Sequence, residues 1–474
     1  MGSIFIGIDI GTTKICAVAL RGTSGKLVAT SSALNASGIK QKGVFFEQNP
    51  EKIIQITFKV LKSLLASKKI AKKEIKGVGI TGQMHGVVLL DKNLKPITNL
   101  VTWQDQRCNV LHPGKKHSYI EEMAKIIGPA AIRSSGCTLS TGYMGATLFW
   151  YRINNRLPKN SKASFISDYL AARLTGGKKI YTDPTNAGGS GVFNAKKRKW
   201  DKKAISKLKI TGVVLPELRS SGEVIGKISA ATERLTGLPC GVPVSCSIGD
   251  NQASILGGLY GLNRKTVLVN IGTSGQLSML SSKFVRVPGI DTRCYLDGQY
   301  ALVGASLCGG YSYRILAEFF SRVIRVFSGK QPSGQLYEKM NHAAAKGDLL
   351  GLSCDTQFLG TRLDPKKRGV LKGLSAGNLT PENLSLSVLK GMTEELYSFY
   401  EAILKSGLQK PLLILATGNA VKKNKLLQSI ISKRFNLPLY LTKFDEEACY
   451  GAAMIAKIGT GEKEDNCSTL PVCK

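Results

Sequence analysis

The chain has 474 residues, more than one hydrophobic core normally organises, so we expect two or three domains. Hydrophobic residues make up 43% of it, and 51 glycines stand against 16 prolines, which is typical of a folded α/β protein and excludes a disordered one. The net charge is +34. No apolar run reaches the roughly 18 residues of a membrane span, and no secretory pattern is present, so we expect a cytoplasmic protein without a membrane segment.

The cysteines and histidines form no recognisable framework. Eleven cysteines are scattered without a Cys-x-x-Cys pair, which favours thiols that stay reduced over a disulfide-linked domain. The four histidines do not pair with cysteines at the spacing of zinc sites. The chemistry of the chain must therefore be carried by other residues.

The basic charge is dispersed along the chain, mostly in lysine pairs. Its densest cluster is Lys196-Lys197-Arg198-Lys199, followed by Lys202-Lys203. No nucleic-acid recognition module of arginine and aromatic residues lies beside it, so we expect a solvated basic surface and no specific nucleic-acid partner. Contact with polyanions, or assembly through this surface, is the alternative.

Two distant segments share one pattern. Residues 4–20 read IFIGIDIGTTKICAVAL, and residues 266–280 read TVLVNIGTSGQLSML. Each is an apolar run, then Ile-Gly-Thr with a further hydroxyl residue, then a second apolar run, which predicts two strands joined by a tight glycine turn. The two segments lie about half the chain apart. We therefore predict two related domains, residues 1–248 and 249–474.

The rest of the chain alternates strands and helices, which favours parallel sheets covered by helices. The Gly/Pro-rich passage from Thr236 to Pro243 precedes the predicted boundary, and the tail after Gly459 is polar and expected to be loose. Further elements are a helix after Asn49-Pro50, a strand at 78–82, a long helix carrying Leu389, Met392, Leu396, Phe399 and Ile403 and stopped by Gly407, strands at 412–417 and 437–442, and helices at 424–435 and 448–459.

The first glycine turn, DIGTT at 9–13, has the chemistry of a phosphate site. Gly11 permits the turn, and Thr12 and Thr13 offer hydroxyl and backbone N–H groups to phosphate oxygens. Asp9, at the end of the strand, is a candidate to position Mg²⁺ directly or through water. Lys14 follows as a phosphate contact or as a solvated lysine. A plain hairpin turn is the alternative for the whole segment.

The second turn, NIGTS at 270–274, repeats the first with Asn270 in the place of Asp9. Gly272, Thr273 and Ser274 would face the other side of a triphosphate. Two such turns across a cleft would clamp the β- and γ-phosphates, and positioning with charge neutralisation is most of phosphoryl-transfer catalysis.

The paired hairpins resemble those of the actin/Hsp70/sugar-kinase superfamily. Within it, GDNQAS (249–254), TGQMHGVVLLD (81–91) and TWQDQR (102–107) resemble motifs of the FGGY carbohydrate kinases, close to the sedoheptulokinases and xylulokinases. The similarity continues through 140–150, 166–176 and 182–194 and extends from residue 4 to about 458. It implies an α/β fold of two ribonuclease-H-like domains, with ATP and sugar in the cleft between them.

The resemblance also implies a role for each site residue. Asp250 would be the general base that accepts the proton of the attacking sugar hydroxyl, which a carboxylate within hydrogen-bond reach can do. The other implied sugar-site residues are Gln83, Met84 and His85 after a strand end, Trp103 as an apolar face for the sugar, Asp105 as a hydroxyl acceptor, and Arg107 as its brace. Xylulokinases generally have Asn-Asp before this arginine, so Gln104-Asp105 favours sedoheptulokinase.

The nucleotide loop is less typical of the family. ATGNA (416–420) lies between a strand and a helix, where the family usually has a run of glycines. Gly418, Asn419 and Asn424 are the implied nucleotide contacts of this region. The pair Gly309-Gly310 fits the second nucleotide loop, although a helix-start turn explains it equally well.

The sequence therefore predicts an ATP- and Mg²⁺-dependent ketose kinase, acting as a monomer or homodimer. Sedoheptulose, giving the 7-phosphate, is the first choice of substrate, and xylulose, giving the 5-phosphate, is the alternative. A catalytically silent scaffold that binds ATP and polyanions is a second alternative, which the presence of both Asp9 and Asp250 disfavours.

Overall fold

The computed structural model describes residues 2–41, 43–259, 265–331, 334–362, 364, 366–442, 445–462 and 472–473. Most of the tail that was expected to be loose lies outside these residues. Within them, no helix combines the length and the apolar composition that crossing a bilayer requires.

Strands and helices alternate along the chain, with two short 3₁₀ helices at Lys72–Glu74 and Arg107–Asn109. The strands are β1 (Ile4–Ile10), β2 (Lys14–Arg21), β3 (Leu27–Leu34), β4 (Glu47–Gln48), β5 (Ile75–Gly82), β6 (Val88–Leu90), β7 (Leu100–Val101), β8 (Lys162–Ser164), β9 (Tyr181–Thr182), β10 (Phe193–Asn194), β11 (Lys199–Trp200), β12 (Glu217–Leu218), β13 (Val224–Lys227), β14 (Pro243–Ser245), β15 (Ile248–Gly249), β16 (Thr266–Ile271), β17 (Gly275–Ser281), β18 (Asp291–Cys294), β19 (Tyr300–Ser306), β20 (Ser353–Asp355), β21 (Val370–Lys372), β22 (Leu413–Thr417), β23 (Leu439–Thr442) and β24 (Val472–Cys473). The helices are α1 (Pro50–Leu65), α2 (Tyr119–Ile127), α3 (Pro129–Ser135), α4 (Met144–Ile153), α5 (Ile166–Thr175), α6 (Pro184–Ala187), α7 (Lys202–Lys207), α8 (Ala230–Thr236), α9 (Asp250–Gly258), α10 (Gly310–Ser328), α11 (Leu336–Ala344), α12 (Pro381–Lys405), α13 (Asn419–Lys422), α14 (Lys425–Phe435) and α15 (Glu447–Gly459).

The first large sheet is built around the hairpin of β1 and β2. Its strand order is β13-β14-β5-β1-β2-β3, and β15 pairs with the end of β5. β2 runs antiparallel to β1, and β5 runs parallel to it. The predicted strand at 78–82 and the helix after Asn49-Pro50 are confirmed as β5 and α1, and the Asn49 side chain caps α1 by accepting from the backbone N–H of Lys52 at 3.0 Å.

The second large sheet repeats this arrangement. Its order is β18-β19-β17-β16-β22-β23-β24, with β17 antiparallel and β22 parallel to β16. The two hairpins found by sequence comparison therefore hold equivalent positions in two sheets, each with helices against it. The predicted fold class, two ribonuclease-H-like α/β domains, is confirmed. The boundary at residue 248 stays a prediction.

The predicted elements of the second half are confirmed with small shifts of their ends. The long apolar-faced helix is α12, and its stop, Gly407, has a φ of +92° just beyond the last turn. The strands predicted at 412–417 and 437–442 are β22 and β23, and the helices predicted at 424–435 and 448–459 are α14 and α15.

Helix α15 covers one face of the first sheet, although it follows the second sheet in sequence. Side chains alternate along β1, so Ile4, Ile6, Ile8 and Ile10 join the core beneath α1, whereas Phe5 packs with residues of α15. Gly7 lets the backbones approach closely, since a Cβ there would lie 2.0 Å from the Cys449 carbonyl oxygen. Asp9, two residues further along the strand, therefore faces the side of α15.

Helices α9 and α15 cross each other at similarly short range. A Cβ on Gly451 would lie 1.9 Å from the carbonyl oxygen of Ala253, and one on Gly257 would lie 2.1 Å from that of Glu447. The glycines at this crossing thus have a specific function. They allow α9, which begins with Asp250, to lie directly against α15.

We expect Gly451→Ala to destabilise the protein by about 3 kcal/mol, because the new methyl group collides with backbone and not with a side chain that can move. Alanine is the better helix former by about 1 kcal/mol, so helix propensity alone predicts the opposite sign. Chemical denaturation of the purified protein measures the difference.

Gly212→Ala is the matched control, since nothing lies within 4 Å of a Cβ at that position. Equal stability of the two variants would show that the crossing of α9 and α15 is looser than described.

Candidate active site

Asp9 is a carboxylate without a local partner. It lies near the end of β1, between Cys16 of β2 and Thr81 of β5, and its Oδ1 is buried and has no hydrogen-bond partner among the described residues. Burial, followed by the negative charges of Asp250 and Glu446, raises the pKa of Asp9 to about 7. An unpaired buried oxygen of this kind is typical of a site that receives a ligand or cation.

Asp250 comes close to Asp9 from a different element. It is the first residue of α9, directly after β15, which pairs with the end of β5. Its Oδ1 accepts from the backbone N–H of Asn251 at 2.6 Å. Burial raises the pKa of Asp250 to about 6, against the opposing effects of the Asn251 N–H group and the positive charge of Arg293. The structure thus brings together the predicted base and the predicted metal residue.

The first glycine turn is braced by side chains around Thr12. The indole Nε1 of Trp103 donates to Thr12 Oγ1 at 3.0 Å, and that hydroxyl donates to Gln83 Oε1 at 3.2 Å. The Gln83 amide donates to Gln48 Oε1 at 2.7 Å, and the Gln48 amide donates to the Thr12 carbonyl at 2.9 Å. The Thr12 hydroxyl is therefore engaged within the protein, whereas Thr13 is exposed.

Lys14 forms an ion pair with Glu446, just before α15. The Lys14 side chain is about half exposed, at 46%, so the ion pair contributes little to stability. The pair links the turn of the first sheet to the start of the helix that covers that sheet.

His85 is held in an unusual conformation. Its φ is +77°, in the left-handed region that non-glycine residues rarely adopt. The ring stacks on Tyr143 at 4.4 Å between centroids, and Nδ1 lies 2.8 Å from the Gly189 carbonyl oxygen. Burial, reinforced by the nearby positive charge of Arg293, lowers the pKa of His85 to about 3. The imidazole is thus neutral, and with its proton on Nδ1 it leaves Nε2 as an acceptor.

Met84 and Trp103 differ in exposure. Met84 is buried against the start of α9, since a Cβ on Gly249 would lie 2.7 Å from its sulfur. Trp103 is 47% exposed, with its N–H group bonded to Thr12. An exposed indole anchored in this way presents an apolar ring face beside the first glycine turn.

Asp105 and Arg107 form a buried ion pair. Asp105 is fully buried, and both of its oxygens accept from Arg107, with Nε at 2.7 Å and Nη2 at 3.0 Å. The backbone N–H of Phe46 donates to the same carboxylate at 2.8 Å. Arg107 also pairs with Glu47 and lies 5.1 Å from the centroids of the Phe45 and Trp150 rings. The geometry makes this pair the support of the Trp103 loop; direct contact of Asp105 with a sugar stays a prediction.

The second glycine turn is attached to the start of α10. The backbone N–H of Gly310 donates to the Gly272 carbonyl at 2.9 Å, and that of Tyr311 donates to Thr273 at 3.1 Å. Gly309 has no room for a side chain, because a Cβ there would lie 2.3 Å from the Ser274 carbonyl. Thr273 and Ser274 are exposed at the tip of the turn.

A cavity of about 610 Å³ adjoins this turn. Gly418, with a φ of +92°, forms the bend between β22 and α13, and Asn424 caps α14 and donates to Asn341 at 2.8 Å. Among the predicted nucleotide residues, those that line the cavity are Gly272, Thr273, Gly310, Asn419 and Asn424. Its other walls include Tyr311, Tyr337, Leu389 and Met392. The size and mixed lining suit an adenosine-sized ligand.

Sequence reasoning did not find Arg293, Tyr143 or Glu446. Arg293 lies in β18 of the second sheet, and its charge acts on both Asp250 and His85. The one available signal was its alternation with Asp291 in a short strand, which commonly marks no more than a solvated face. Tyr143 lies in the segment 140–150 that resembles the family, but nothing in that segment marks it as a site residue, and Glu446 carries no sequence signal. Their relation to His85 and Asp9 arises only from the fold.

Asp9 and the neighbouring Asp250 are the carboxylates available to a magnesium ion here. Within the described ranges, no group of three or more histidine, cysteine or acidic side chains is arranged to hold a metal by itself. Mg²⁺ in phosphoryl-transfer sites usually takes one or two carboxylates and completes its shell with water and substrate phosphates. The orphaned Asp9 oxygen beside a second carboxylate fits that requirement.

Residues 4–257 match the N-terminal domain of the FGGY family of carbohydrate kinases, and residues 267–460 match its C-terminal domain. The chain is 25% identical to mouse sedoheptulokinase over 95% of this chain and 97% of the relative. It is 27% identical to a xylulose kinase of Staphylococcus xylosus over 96% of this chain and 90% of the relative. The crystal structure of xylulose kinase from Rhodospirillum rubrum superposes with a TM-score of 0.85 at 21% identity, covering 99% of this chain and 93% of that one.

We expect Asp9→Asn to stabilise the ligand-free protein at alkaline pH. The pKa of Asp9 rises from 3.8 to about 7 on folding, so the folded state binds more protons between these values and the wild type loses stability as pH rises through that interval. The amide removes this loss, a gain on the order of 4 kcal/mol above pH 7 that vanishes near pH 4.

Denaturant titrations of both proteins from pH 4 to pH 8 measure this difference. Asp297→Asn, at an exposed turn, is the control and should show no such trend. A stability difference that stays constant with pH would contradict the perturbed ionisation of Asp9.

Proposed function

The chain belongs to the FGGY family of carbohydrate kinases, and from this premise we propose that it transfers the γ-phosphate of ATP to a ketose, sedoheptulose, giving sedoheptulose 7-phosphate. Kinases of this family use ATP. The observation that carries the proposal is the meeting of Asp250 and Asp9 at the end of the first sheet, beside the first glycine turn.

In the proposed step, the terminal primary hydroxyl of the ketose attacks the γ-phosphorus. The bond from oxygen to phosphorus forms, the bond from the γ-phosphorus to the bridging oxygen breaks, and ADP leaves with that oxygen. Asp250 accepts the hydroxyl proton. A pKa of about 6 suits this role, because the group is largely ionised at neutral pH and still basic enough to take a proton.

The two glycine turns would hold the triphosphate from opposite sides. Thr13 of the first turn, and Thr273 and Ser274 of the second, are exposed and free to donate to phosphate oxygens. Asp9 would hold Mg²⁺, which neutralises phosphate charge in this class of reaction. The cavity beside Gly310 and Asn424 would take the adenosine.

The ketose would lie between the two halves, which we place at residues 1–248 and 249–474. Neutral His85 can accept a hydrogen bond from a sugar hydroxyl at Nε2, and the exposed face of Trp103 can cover the carbon chain. The Asp105–Arg107 pair would act on the sugar mainly by holding the Trp103 loop in place. Closure of the halves would exclude water, which otherwise competes with the sugar as acceptor.

Sedoheptulose is favoured over xylulose by Gln104. This residue is exposed next to Trp103, where xylulokinases generally have asparagine. The longer side chain changes the rim of the site that the non-reacting end of a ketose would meet. Overall identity does not separate the two substrates, since it is 25% to mouse sedoheptulokinase and 27% to the Staphylococcus xylosus xylulose kinase.

We expect Asp250→Asn to lower kcat by about 10²–10⁴-fold, the range for losing a general base, with ketose and ATP affinity largely kept. In the wild type, kcat should fall about tenfold per pH unit below pH 6, because protonated Asp250 cannot accept a proton. Coupled ADP-release assays and calorimetric titrations measure both.

Asp201→Asn, which changes a helix cap remote from this site, is the control for substituting a structural aspartate. Normal turnover in Asp250→Asn would exclude Asp250 as the base.

A panel of ketoses with ATP and Mg²⁺ tests the choice of substrate. We expect kcat/KM for sedoheptulose to exceed that for xylulose at least tenfold, because Gln104 stands where xylulokinases generally have asparagine. A higher kcat/KM for xylulose would reverse the assignment and leave the kinase activity standing. If no sugar in the panel stimulates ADP release, the proposed function itself is contradicted.

A further inference from the structure

Arg293 is a buried arginine that the protein leaves largely unpaired. Its side chain is 9% exposed, and its single hydrogen bond among the described residues runs from Nη2 to Asp291 Oδ2 at 3.1 Å. The Nε atom is fully buried and has no hydrogen-bond partner in the described part of the chain. A guanidinium group has five N–H donors, so most of its hydrogen-bonding capacity is unused.

Among the described residues, a second arginine with a buried side chain is bonded to the protein more completely. Arg107, 2% exposed, bonds to both oxygens of Asp105 and to Glu47, and its guanidinium lies against aromatic rings. Leaving a buried donor unsatisfied is unfavourable, and more so when the group is charged. The contrast with Arg107 indicates that the missing partners of Arg293 come from outside the chain.

The position of Arg293 identifies which ligand could supply them. Its strand, β18, is tied to the base helix, because the Gln252 amide donates to the Cys294 carbonyl at 2.9 Å. It is tied to the first half of the chain through Asp291, whose Oδ1 accepts from the backbone N–H of Thr138 at 3.2 Å. Arg293 thus lies where both halves meet, within electrostatic range of Asp250 and His85.

We propose that Arg293 is a substrate-positioning residue, donated to the sugar site by the second half of the chain, whose guanidinium binds the carbonyl and hydroxyl oxygens of the ketose. The inference rests on the proposed function. A planar fork of N–H groups suits neighbouring oxygen acceptors, which a polyhydroxy ketone presents along its whole length. Asp291 orients the fork by holding one end of it.

The same charge has a second effect. The positive charge of Arg293 lowers the pKa of Asp250, which burial would otherwise raise further. Arg293 therefore favours the ionised form of Asp250. Its loss should move the acid limb of the kcat–pH profile, the fall of kcat at low pH, to higher pH. A residue that only supported the fold would not produce this shift.

The test compares Arg293→Met and Arg293→Lys with the wild type. Calorimetry measures binding of the ketose that the wild type phosphorylates, and kcat is measured as a function of pH. We expect Arg293→Met to weaken ketose binding at least tenfold, to leave ATP binding within twofold, and to shift the acid limb upward. Arg293→Lys should restore the acid limb, because the charge is kept, but only part of the affinity, because ammonium lacks the planar fork.

Arg362→Met is the matched control. Arg362 pairs with the same Asp291 oxygen at 3.1 Å, but its side chain is 43% exposed, so we expect ketose affinity within threefold of the wild type. An Arg293→Met protein that melts like the wild type, binds ketose within twofold and keeps the acid limb would overturn the proposal.

A crystal structure of the wild type with bound ketose tests the proposal without any substitution, should Arg293→Met fail to fold. A guanidinium nitrogen within about 3.5 Å of a ketose oxygen is expected, and the absence of any such contact would overturn the proposal. If the wild type phosphorylates no ketose, the proposed function fails first and this inference fails with it. Turnover with unchanged binding in Arg293→Met contradicts the role of Arg293 alone.

Discussion

The site depends on holding two carboxylates close together in a poorly solvated place. Asp9 and Asp250 repel each other, and burial raises the pKa of both. Neither has an arginine or lysine bonded to it among the described residues, so the fold itself must keep them near each other. It does so by pairing β1 and β15 with the same strand, β5, and by packing α9 against α15 at the range that only glycine permits. A magnesium ion and the proton of an attacking hydroxyl are the species that would relieve this repulsion.

The two sides of the site are stabilised in different ways. The first glycine turn is held by a closed set of neutral hydrogen bonds through Gln48 and Gln83, and the Trp103 loop by the buried Asp105–Arg107 pair. Each of these sets is satisfied within the protein and is therefore rigid before any ligand arrives. Asp9 Oδ1 and Arg293 Nε are among the buried polar atoms without a partner in the described residues, and both belong to the groups proposed to contact substrate. Side chains that lack partners and are held by a rigid surrounding can position a substrate without first rearranging, and such positioning favours catalysis.

The sequence predicted most of the fold, because its strongest signals are local. The paired glycine hairpins, the Asn49 cap and the apolar face of α12 each follow from residues within one element, and each lies where it was expected. The site was predicted only as far as motifs reached. The other features depend on contacts between segments far apart in sequence. Trp103 and Gln83 bond the Thr12 hydroxyl, Lys14 pairs with Glu446, and the Phe46 backbone N–H bonds the buried Asp105. Arg293 was missed for the same reason, since a charged residue in a short strand has meaning only beside its neighbours.

The place of α15 also has a consequence for how the protein is made. This helix ends at Gly459, yet it closes the first sheet by packing on strands that begin at Ile4. During translation the ribosome synthesises β1, β2 and β5 long before it reaches the segment that covers them. The nascent chain therefore exposes an apolar sheet face until α15 has been made, and the first half cannot reach its final form before residues 447–459 have emerged.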